Sequence, residues 1–422
     1  MKKYLSKIIK SLGPGFITGA SDDDPSGIAT YSQTGALFGF QQAWTALFSF
    51  PLMFAIQEMS GRIGLVTGRG LAGVIKEHYP KKILYFTVLL LFLANTINIG
   101  ANLGAMAGSA KLITGIPFIF LLIGMVVLSL TLEIFVSYKI YSKYLKFLTF
   151  ALFSYVITAF VVKIDWSKVL VSTFIPTIQF SKIYLVNIVA IFGTTISPYL
   201  FFWQASEEVE DEIAHHKLRC MGAGQPKVTP KDISRLRTDT LIGMFFSNLV
   251  MFFIIITTGA TLFPKGIHNI LSASDAALVL RPLAGDFAFL LFALGIIGTG
   301  LLAVPILAGS ASYAASEAFG WKAGLYRKLN KAHGFYGAIT IATLVGILIN
   351  FIGLNPIATL YYTAVINGII APPLLVMILL IANNKKIMGN RTNNKWLNIL
   401  GIITVIIMTF AACVLLLSFL IK

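Results

Sequence analysis

Residues 21–27 read Ser-Asp-Asp-Asp-Pro-Ser-Gly, and they interrupt an apolar stretch near the amino terminus of this 422-residue chain. Pro25 removes an amide donor and Gly27 loosens the backbone, so a helix through this stretch is expected to break. One carboxylate at the centre of a bilayer costs about 2.5 to 3.5 kcal/mol to insert. Because three would be expensive unless hydrated or neutralised, we expect the break to face a cation. The alternative is that the aspartates end a short span in a wet loop.

The rest of the chain has the composition of a membrane protein. Hydrophobic residues make up 57% and charged residues only 12%, whereas about a quarter of the residues of an ordinary soluble domain are charged. Apolar runs of about 20 residues, enough to cross about 30 Å of hydrocarbon, recur along the sequence. They predict an all-α membrane protein that forms a single transport domain over residues 1–422. The eleven predicted transmembrane spans are 11–38, 42–60, 83–110, 114–136, 144–163, 183–207, 238–262, 286–315, 334–353, 356–381 and 396–420.

The positive charge of the chain is distributed unevenly across these spans. If the amino terminus lies inside, the inner segments hold 26 of the 33 Lys and Arg residues. This bias follows the positive-inside rule, so we expect a multi-pass plasma-membrane protein with a cytoplasmic amino terminus and an external carboxyl terminus. It also accounts for the net charge of +16 without nucleic acid as a partner. The lipid bilayer is the expected surrounding, and the sequence leaves the oligomeric state open.

A second interruption lies in the sixth span, where residues 197–199 read Ser-Pro-Tyr. The apolar stretch between the start of the span and the break has roughly the same length in the sixth span as in the first. Spans 1–5, over 11–163, and spans 6–10, over 183–381, then form two halves. Because five is an odd number, the halves run through the membrane in opposite orientations, and 396–420 is an additional eleventh span. Paired breaks in inverted repeats indicate a substrate site near the bilayer midplane.

Three stretches carry a resemblance to a known family. They are 13–16, Gly-Pro-Gly-Phe; 24–30, Asp-Pro-Ser-Gly-Ile-Ala-Thr; and 61–69, Gly-Arg-Ile-Gly-Leu-Val-Thr-Gly-Arg. Together they resemble the NRAMP divalent-metal transporters, and the resemblance covers nearly the whole chain. It implies the LeuT-type 5+5 inverted repeat with broken spans 1 and 6. It also implies that an aspartate in the first break is the principal metal ligand, and Asp24 occupies that place.

Two departures from the family pattern change the expected metal. The family motif Asp-Pro-Gly-Asn becomes Asp24-Pro25-Ser26-Gly27, without the asparagine ligand, and Met-Pro-His becomes Ser197-Pro198-Tyr199, without the thioether. Thioether sulfur suits transition metals, whereas oxygen ligands suit Mg²⁺, Ca²⁺ and Mn²⁺. The chain is therefore most similar to NRAMP-related magnesium transporters, and we expect Mg²⁺ as substrate, with Mn²⁺ as the close alternative and no cofactor. The expected metal ligands are Asp24, Asp23, Ser21, Thr194, Ser197 and Asn367.

The positions that carry protons in typical family members also differ from the family pattern in this chain. Asn102 and Ala105 stand where those members have an aspartate and a glutamate in span 3, and the two histidines of span 6 are replaced by Tyr199 and Gln204. Without groups that gain and lose a proton along this route, we expect transport without proton coupling. Glu133 in span 4 is either an alternative proton carrier or a structural carboxylate near the inner surface.

Other functions agree less well with the sequence. A proton-coupled Mn²⁺ or Fe²⁺ transporter of the same family is the first alternative. An organic-solute transporter of the same fold would also use broken helices, but three aspartates repel a substrate carboxylate. We do not expect an enzyme, because zinc-protease, nucleophile-elbow and phosphate-loop motifs are missing from the sequence. A purely structural or receptor role predicts no metal flux in proteoliposomes.

Overall fold

The computed structural model describes residues 13–136, 152–270 and 272–420, and every regular element in these ranges is helical. Eight of the described helical segments are long and apolar enough to cross a membrane. The α-helices are α1 Pro14–Asp22, α2 Pro25–Phe38, α3 Trp44–Thr67, α4 Leu71–His78, α5 Lys81–Thr114, α6 Phe118–Phe135, α7 Phe153–Val161, α8 Trp166–Phe174, α9 Lys182–Thr195, α10 Pro198–Ala214, α11 Pro230–Thr261, α12 Ala273–Ala277, α13 Arg281–Ala284, α14 Ala288–Phe319, α15 His333–Gly346, α16 Pro356–Asn383, α17 Lys385–Met388 and α18 Lys395–Leu420. Short 3₁₀ segments are Phe263–Lys265, Leu278–Leu280, Gly285–Phe287, Leu329–Lys331, Ile347–Phe351 and Gly389–Arg391.

Each predicted span contains at least part of a helix. The first span is divided into α1 and α2, and the sixth into α9 and α10, as their prolines predicted. Helix α3, which buries the ion pair of Glu58 and Arg62, is not one of these eight long, apolar segments. Residues 11–12 of the first predicted span and residues 144–151 of the fifth lie outside the described ranges.

The two breaks have matching local causes. Helix α1 ends at Asp22, and Asp23 and Asp24 leave the helical region with ψ angles of 44° and 171°. Pro25 then takes the first position of α2, where its missing amide proton costs no hydrogen bond. In the sixth span, Ser197 has a ψ of 134° and Pro198 begins α10 in the same way. Each break therefore places backbone amide and carbonyl groups that lack intrahelical hydrogen bonds in the interior of the bundle.

Glycines hold the first half of each broken span against a long helix. A Cβ on Gly19 of α1 would clash with the backbone of Gly243 in α11. A Cβ on Gly193 of α9 would likewise clash with the backbone of Gly368 in α16. Such close backbone approach is how membrane helices pack without a hydrophobic driving force. It fixes α1 and α9, and so the two breaks, within the core of the bundle.

Candidate metal site

Asp24 is the centre of the candidate site, and its side chain is fully buried. Its Oδ1 accepts hydrogen bonds from Ser26 Oγ at 2.6 Å and Gly27 N at 2.8 Å, and its Oδ2 accepts one from Asn102 Nδ2 at 2.9 Å. The carboxylate also caps the amino terminus of α2, whose dipole favours negative charge. A carboxylate has about four acceptor positions. Three are used, so Asp24 is oriented and retains capacity for a cation.

One hydroxyl group near the second break contacts a partner of this carboxylate. Thr194 Oγ1 lies 3.5 Å from Ser26 Oγ, which is itself bonded to Asp24. Ser197 Oγ donates to Gly193 O at 2.7 Å and Thr194 O at 2.8 Å, so its lone pairs remain available as acceptors. The structure thus places the hydroxyl group of Thr194 in α9 beside the first break.

A row of buried amides continues from Asp24 along α5 towards α16. Asn98 Oδ1 lies 3.4 Å from both Asn102 Nδ2 and Thr363 Oγ1. Three amide atoms are buried and have no hydrogen-bond partner in the part of the chain that the structure describes: Asn102 Oδ1, Asn98 Nδ2 and Asn367 Nδ2. Buried polar atoms of this kind are ordinarily satisfied by water or an ion. Asn367, a predicted ligand, therefore belongs to this polar row, one helical turn beyond Thr363.

The other two aspartates turn to a different helix. Asp22 Oδ2 accepts a hydrogen bond from Ser247 Oγ of α11 at 2.5 Å, and Asp23 Oδ1 lies 3.5 Å from the same hydroxyl. Asp24 instead faces Asn102 of α5. In the described part of the chain, no three acidic, histidine or cysteine side chains converge as a metal-binding group. Joint ligation of one ion by Asp23 and Asp24 stays a prediction.

The remaining predicted positions have structural partners. Ser21 Oγ donates to Thr18 O at 2.8 Å, so this predicted ligand turns back onto α1. The hydroxyl of Tyr199 donates to Ser21 O at 2.9 Å and ties α10 to the end of α1. Gln204 Nε2 donates to Thr240 Oγ1 at 2.8 Å. These contacts link the broken spans to each other and to α11.

Two positions considered for proton transfer differ in what surrounds them. Ala105 is buried in the hydrophobic core. Glu133 is buried in α6, and among the described residues neither of its carboxylate oxygens has a hydrogen-bond partner. It lines a cavity together with Arg327 and His333. Its assignment as proton carrier or structural carboxylate stays open.

Polar contacts close the bundle on the side away from the basic loops. Asn187 Nδ2 of α9 donates to Thr34 Oγ1 of α2 at 2.9 Å and to Gln42 Oε1 at 2.5 Å. Tyr361 of α16 completes the cluster, since its hydroxyl donates to Asn187 Oδ1 at 3.1 Å. These hydrogen bonds join α2, α9, α16 and the loop that contains Gln42.

An ion-pair network closes the opposite, basic end. Glu58 of α3 is fully buried and accepts from Arg62 Nε at 3.1 Å and from Arg237 Nε of α11 at 2.8 Å. Arg62 also donates to Arg391 O and to Asn393 Oδ1 in the loop before α18. Because Asp24 is inaccessible to solvent, the site is closed towards both surfaces.

Sequence reasoning missed several members of the site. Asn102 had been interpreted only as a lost proton carrier, yet it donates directly to Asp24. Asn98 precedes it by one helical turn, and this four-residue spacing of two amides was a signal that could have been used. Ser247 offered no such signal, because a serine in an apolar helix is common and usually bonds to its own backbone.

Comparisons with known proteins identify the family of the chain. The Nramp family, described as natural resistance-associated macrophage protein-like, matches residues 15–418. The divalent metal cation transporter MntH of Caldanaerobacter subterraneus subsp. tengcongensis is 26% identical over 416 residues, covering 94% of this chain and 90% of the relative. MntH of Klebsiella pneumoniae subsp. pneumoniae is 25% identical over 399 residues, covering 92% and 89%.

Solved structures show the same fold. A manganese transporter of Eremococcus coleocola, in complex with an aromatic bis-isothiourea compound, matches with a TM-score of 0.73 at 19% identity, over 97% of this chain and 86% of the other. Mhp1, a nucleobase-cation-symport-1 family transporter, matches with a TM-score of 0.54 at 13% identity, over 97% and 93%. The predicted all-α LeuT-type fold is confirmed. The chain therefore belongs to the Nramp family, and it is a membrane transporter rather than an enzyme.

Proposed function

We propose that this divalent metal cation transporter carries Mg²⁺, with Mn²⁺ as the close alternative, and that it does so without proton coupling. The observation that carries the proposal is the chemistry around Asp24. The side chains bonded to it are the hydroxyl of Ser26 and the amide of Asn102. Neither contains sulfur or titrates near neutral pH. Oxygen ligands of this kind suit hard cations, and Mg²⁺ is normally held by one or two carboxylates with several waters retained.

Alternating access is the mechanism that agrees with the closed site. The predicted repeats 11–163 and 183–381, with 396–420 additional, would move relative to each other about the two breaks. The ion would leave towards the basic end only after the Glu58 network separates from Arg237. We assign this end to the cytoplasm of a plasma-membrane protein, because it carries most of the Lys and Arg residues.

A Mn²⁺ or Fe²⁺ transporter driven by protons is the competing function. It is favoured by the relatives, whose names state divalent metal cation transport and, for one solved structure, manganese transport. Hard oxygen sites also bind Mn²⁺, often more tightly than Mg²⁺. Initial uptake of Mg²⁺, Mn²⁺, Ca²⁺ and Cd²⁺ into proteoliposomes, with a pH dye inside, distinguishes the two functions. Uptake of Cd²⁺ but not of millimolar Mg²⁺ would reject our proposal.

The first prediction concerns coupling. Metal uptake should proceed with little accompanying acidification, because the side chains at positions 102, 105 and 199 are Asn, Ala and Tyr. A divalent ion gains about 4.6 kcal/mol from a potential of 100 mV, twice the value for a single charge, which is sufficient to accumulate it. The measurement is internal pH during Mn²⁺ uptake at a clamped potential. A fixed proton-to-metal stoichiometry would contradict the prediction.

The second prediction concerns Asn102. Its replacement by leucine, of similar size, should lower metal affinity about tenfold or more, since a hydrogen bond to a charged group contributes about 1.5 to 3 kcal/mol. Asn102→Asp should restore acceptor oxygen but place a second carboxylate beside Asp24, and so confer pH dependence on uptake. The KM for Mn²⁺ across pH 5.5 to 8 measures both effects. Asn95→Leu, on the same helix but bonded to Leu307 O, is the control for helix damage.

A further inference from the structure

A cavity of about 650 Å³ lies at the basic end of the bundle, where three segments of the chain meet. One wall is formed by α4 and the turn before it, and the others by the loop after α10 and the loop after α14. The walls belong to both predicted repeats, since residues 69–77 lie in the first and residues 220–222 and 317–327 in the second. None of the residues described around Asp24 lines this cavity.

The cavity has an excess of positive charge. Its charged lining residues are four basic and two acidic ones: Arg69, Lys76, Lys322, Arg327, Glu77 and Glu317. Four minus two leaves a net charge of +2 even when both acidic groups are ionised. Glu77 pairs with Arg69 at 2.8 Å, and Glu317 accepts hydrogen bonds from the backbone amides of Gly70 and Gly73. The other three basic side chains form no ion pair with a carboxylate in the described part of the chain.

Three aromatic side chains border the cavity. Trp321, which lines it, stacks on Phe319 at the end of α14 with ring centroids 5.1 Å apart. Phe319 in turn packs against Tyr85 near the start of α5, with centroids 6.1 Å apart. All three rings are about half exposed. Exposed aromatic residues at the ends of membrane helices are typical of the interface between hydrocarbon and water. The cavity therefore lies at the level of the lipid headgroups.

A row of exposed apolar side chains continues from these rings along α5. Leu89 and Leu93 follow Tyr85 at spacings of four residues, so all three lie on one face of the helix. The two leucines are 56% and 48% exposed. The row extends over about 12 Å at 1.5 Å per residue, most of the depth of one leaflet of the hydrocarbon core. Positive charge, aromatic rings and apolar side chains thus follow one another as the headgroup, interfacial region and acyl chains of a phospholipid do.

We propose that the cavity binds the phosphate headgroup of an anionic phospholipid, with an acyl chain along Tyr85, Leu89 and Leu93. Basic pockets beside membrane helices are known to bind anionic headgroups. A soluble phosphate would use the charge of the cavity but not the apolar row. The bound lipid joins the two predicted repeats, because Lys76 lies in the first and Lys322 in the second, and so it stabilises the closed arrangement of the bundle. This site is independent of which metal the protein carries.

The test measures lipid binding to the purified full chain in detergent. Native mass spectrometry gives the affinity, and the thermal unfolding midpoint reports stabilisation. The probes are dioleoyl phosphatidylglycerol, which is anionic; dioleoyl phosphatidylcholine, which has the same chains and no net charge; and glycerol 3-phosphate, which has no chains. We expect phosphatidylglycerol to bind at least about tenfold more tightly than phosphatidylcholine and to raise the midpoint. Glycerol 3-phosphate should neither raise the midpoint nor displace the lipid.

Neutral variants of the cavity lysines locate the site. Lys322→Gln and Lys76→Gln should each lower the affinity for phosphatidylglycerol about fivefold, the contribution of one basic residue near anionic lipid. Both lysines are exposed, so the variants should fold. Lys331→Gln is the matched control, since it makes the same change at an exposed lysine of the same loop that does not line the cavity. It should bind phosphatidylglycerol like the wild type.

Two results would overturn the inference. Equal affinities for the two lipids, or equal losses of affinity in Lys322→Gln and Lys331→Gln, would show that the cavity does not recognise the anionic headgroup. Displacement of phosphatidylglycerol by glycerol 3-phosphate at comparable concentrations would show that the cavity is a site for a soluble phosphate instead of a lipid. Neither result bears on metal transport, so the proposed function would stand in both cases.

Discussion

Replacing Asp24 with asparagine should reduce divalent metal uptake by at least about 100-fold while leaving the protein folded. Loss of one charged partner in a buried site costs about 3 to 5 kcal/mol, which corresponds to more than two orders of magnitude in affinity. Asparagine caps a helix about as well as aspartate, so the amino terminus of α2 should remain capped. The measurements are Mn²⁺ and Mg²⁺ uptake and the thermal unfolding midpoint in detergent.

Asp24→Ala separates the two roles of this residue. It removes both the charge and the cap, and loss of a cap costs about 1 kcal/mol. Removal of an expensive buried carboxylate offsets part of that cost. We therefore expect a small change in the unfolding midpoint and the same loss of transport as in Asp24→Asn. Asp165→Asn, the same substitution at an exposed helix cap, should leave uptake unchanged. Uptake near the wild-type rate in either Asp24 variant would remove Asp24 from the site.

The sequence was sufficient to predict helical structure in the transmembrane spans and the two breaks, but not the short helices between the spans. Long apolar runs have few alternatives to a membrane helix, and Pro25 and Pro198 sit where their local chemistry requires a helix to start. The contact between Thr194 and Ser26 could also be expected from the sequence, because equivalent breaks in an inverted repeat meet at the midplane of the membrane.

The directions of the aspartate side chains could not be predicted in this way. Asp22 is the last residue of α1, whereas Asp23 and Asp24 leave the helical region, so the directions of the three side chains depend on the backbone angles of Asp23 and Asp24. The structure sends Asp22 and Asp24 to different helices, α11 and α5. Which partner each would meet depended on tertiary packing, and Ser247 and Asn102 are distant in sequence from the break.

Methionine at position 106 is a further feature that the sequence did not indicate. Its sulfur lies near Gly300, and a Cβ on Gly300 would be 2.5 Å from Met106 Sδ and 3.3 Å from Pro25 Cγ. A thioether is therefore present one helical turn from Asn102, although position 197 carries none. We expect it to act as core packing, because it is fully buried in the main hydrophobic cluster. Met106→Leu should then leave the ratio of Cd²⁺ to Mg²⁺ uptake unchanged.

The Gly27→Asn change that would restore the family's asparagine is disfavoured by the structure. A Cβ at Gly27 would lie 3.0 Å from Asp22 O and 3.3 Å from Tyr31 Cε2, so these two neighbours must shift slightly to accept it. A combined Gly27→Asn and Ser197→Met variant, expected from sequence alone to shift binding towards Cd²⁺ and Mn²⁺, would therefore confound selectivity with distortion of the break. The single substitution at Ser197 is the sharper test.

Ser197→Met should raise Cd²⁺ uptake relative to Mg²⁺ uptake by about tenfold, because a polarizable thioether favours a soft transition metal over a hard ion that retains its waters. The substitution also removes the hydrogen bonds that Ser197 donates to Gly193 O and Thr194 O. Ser197→Ala is the control for that loss, and it should lower uptake of both ions mildly without changing their ratio. If Ser197→Ala shifts the ratio as much as Ser197→Met does, the shift comes from the freed carbonyls of α9. The single substitution Met106→Leu in the otherwise wild-type chain could instead lower Cd²⁺ uptake. The Met106 sulfur would then already take part in the site, and the preference for hard cations inferred from position 197 would be wrong.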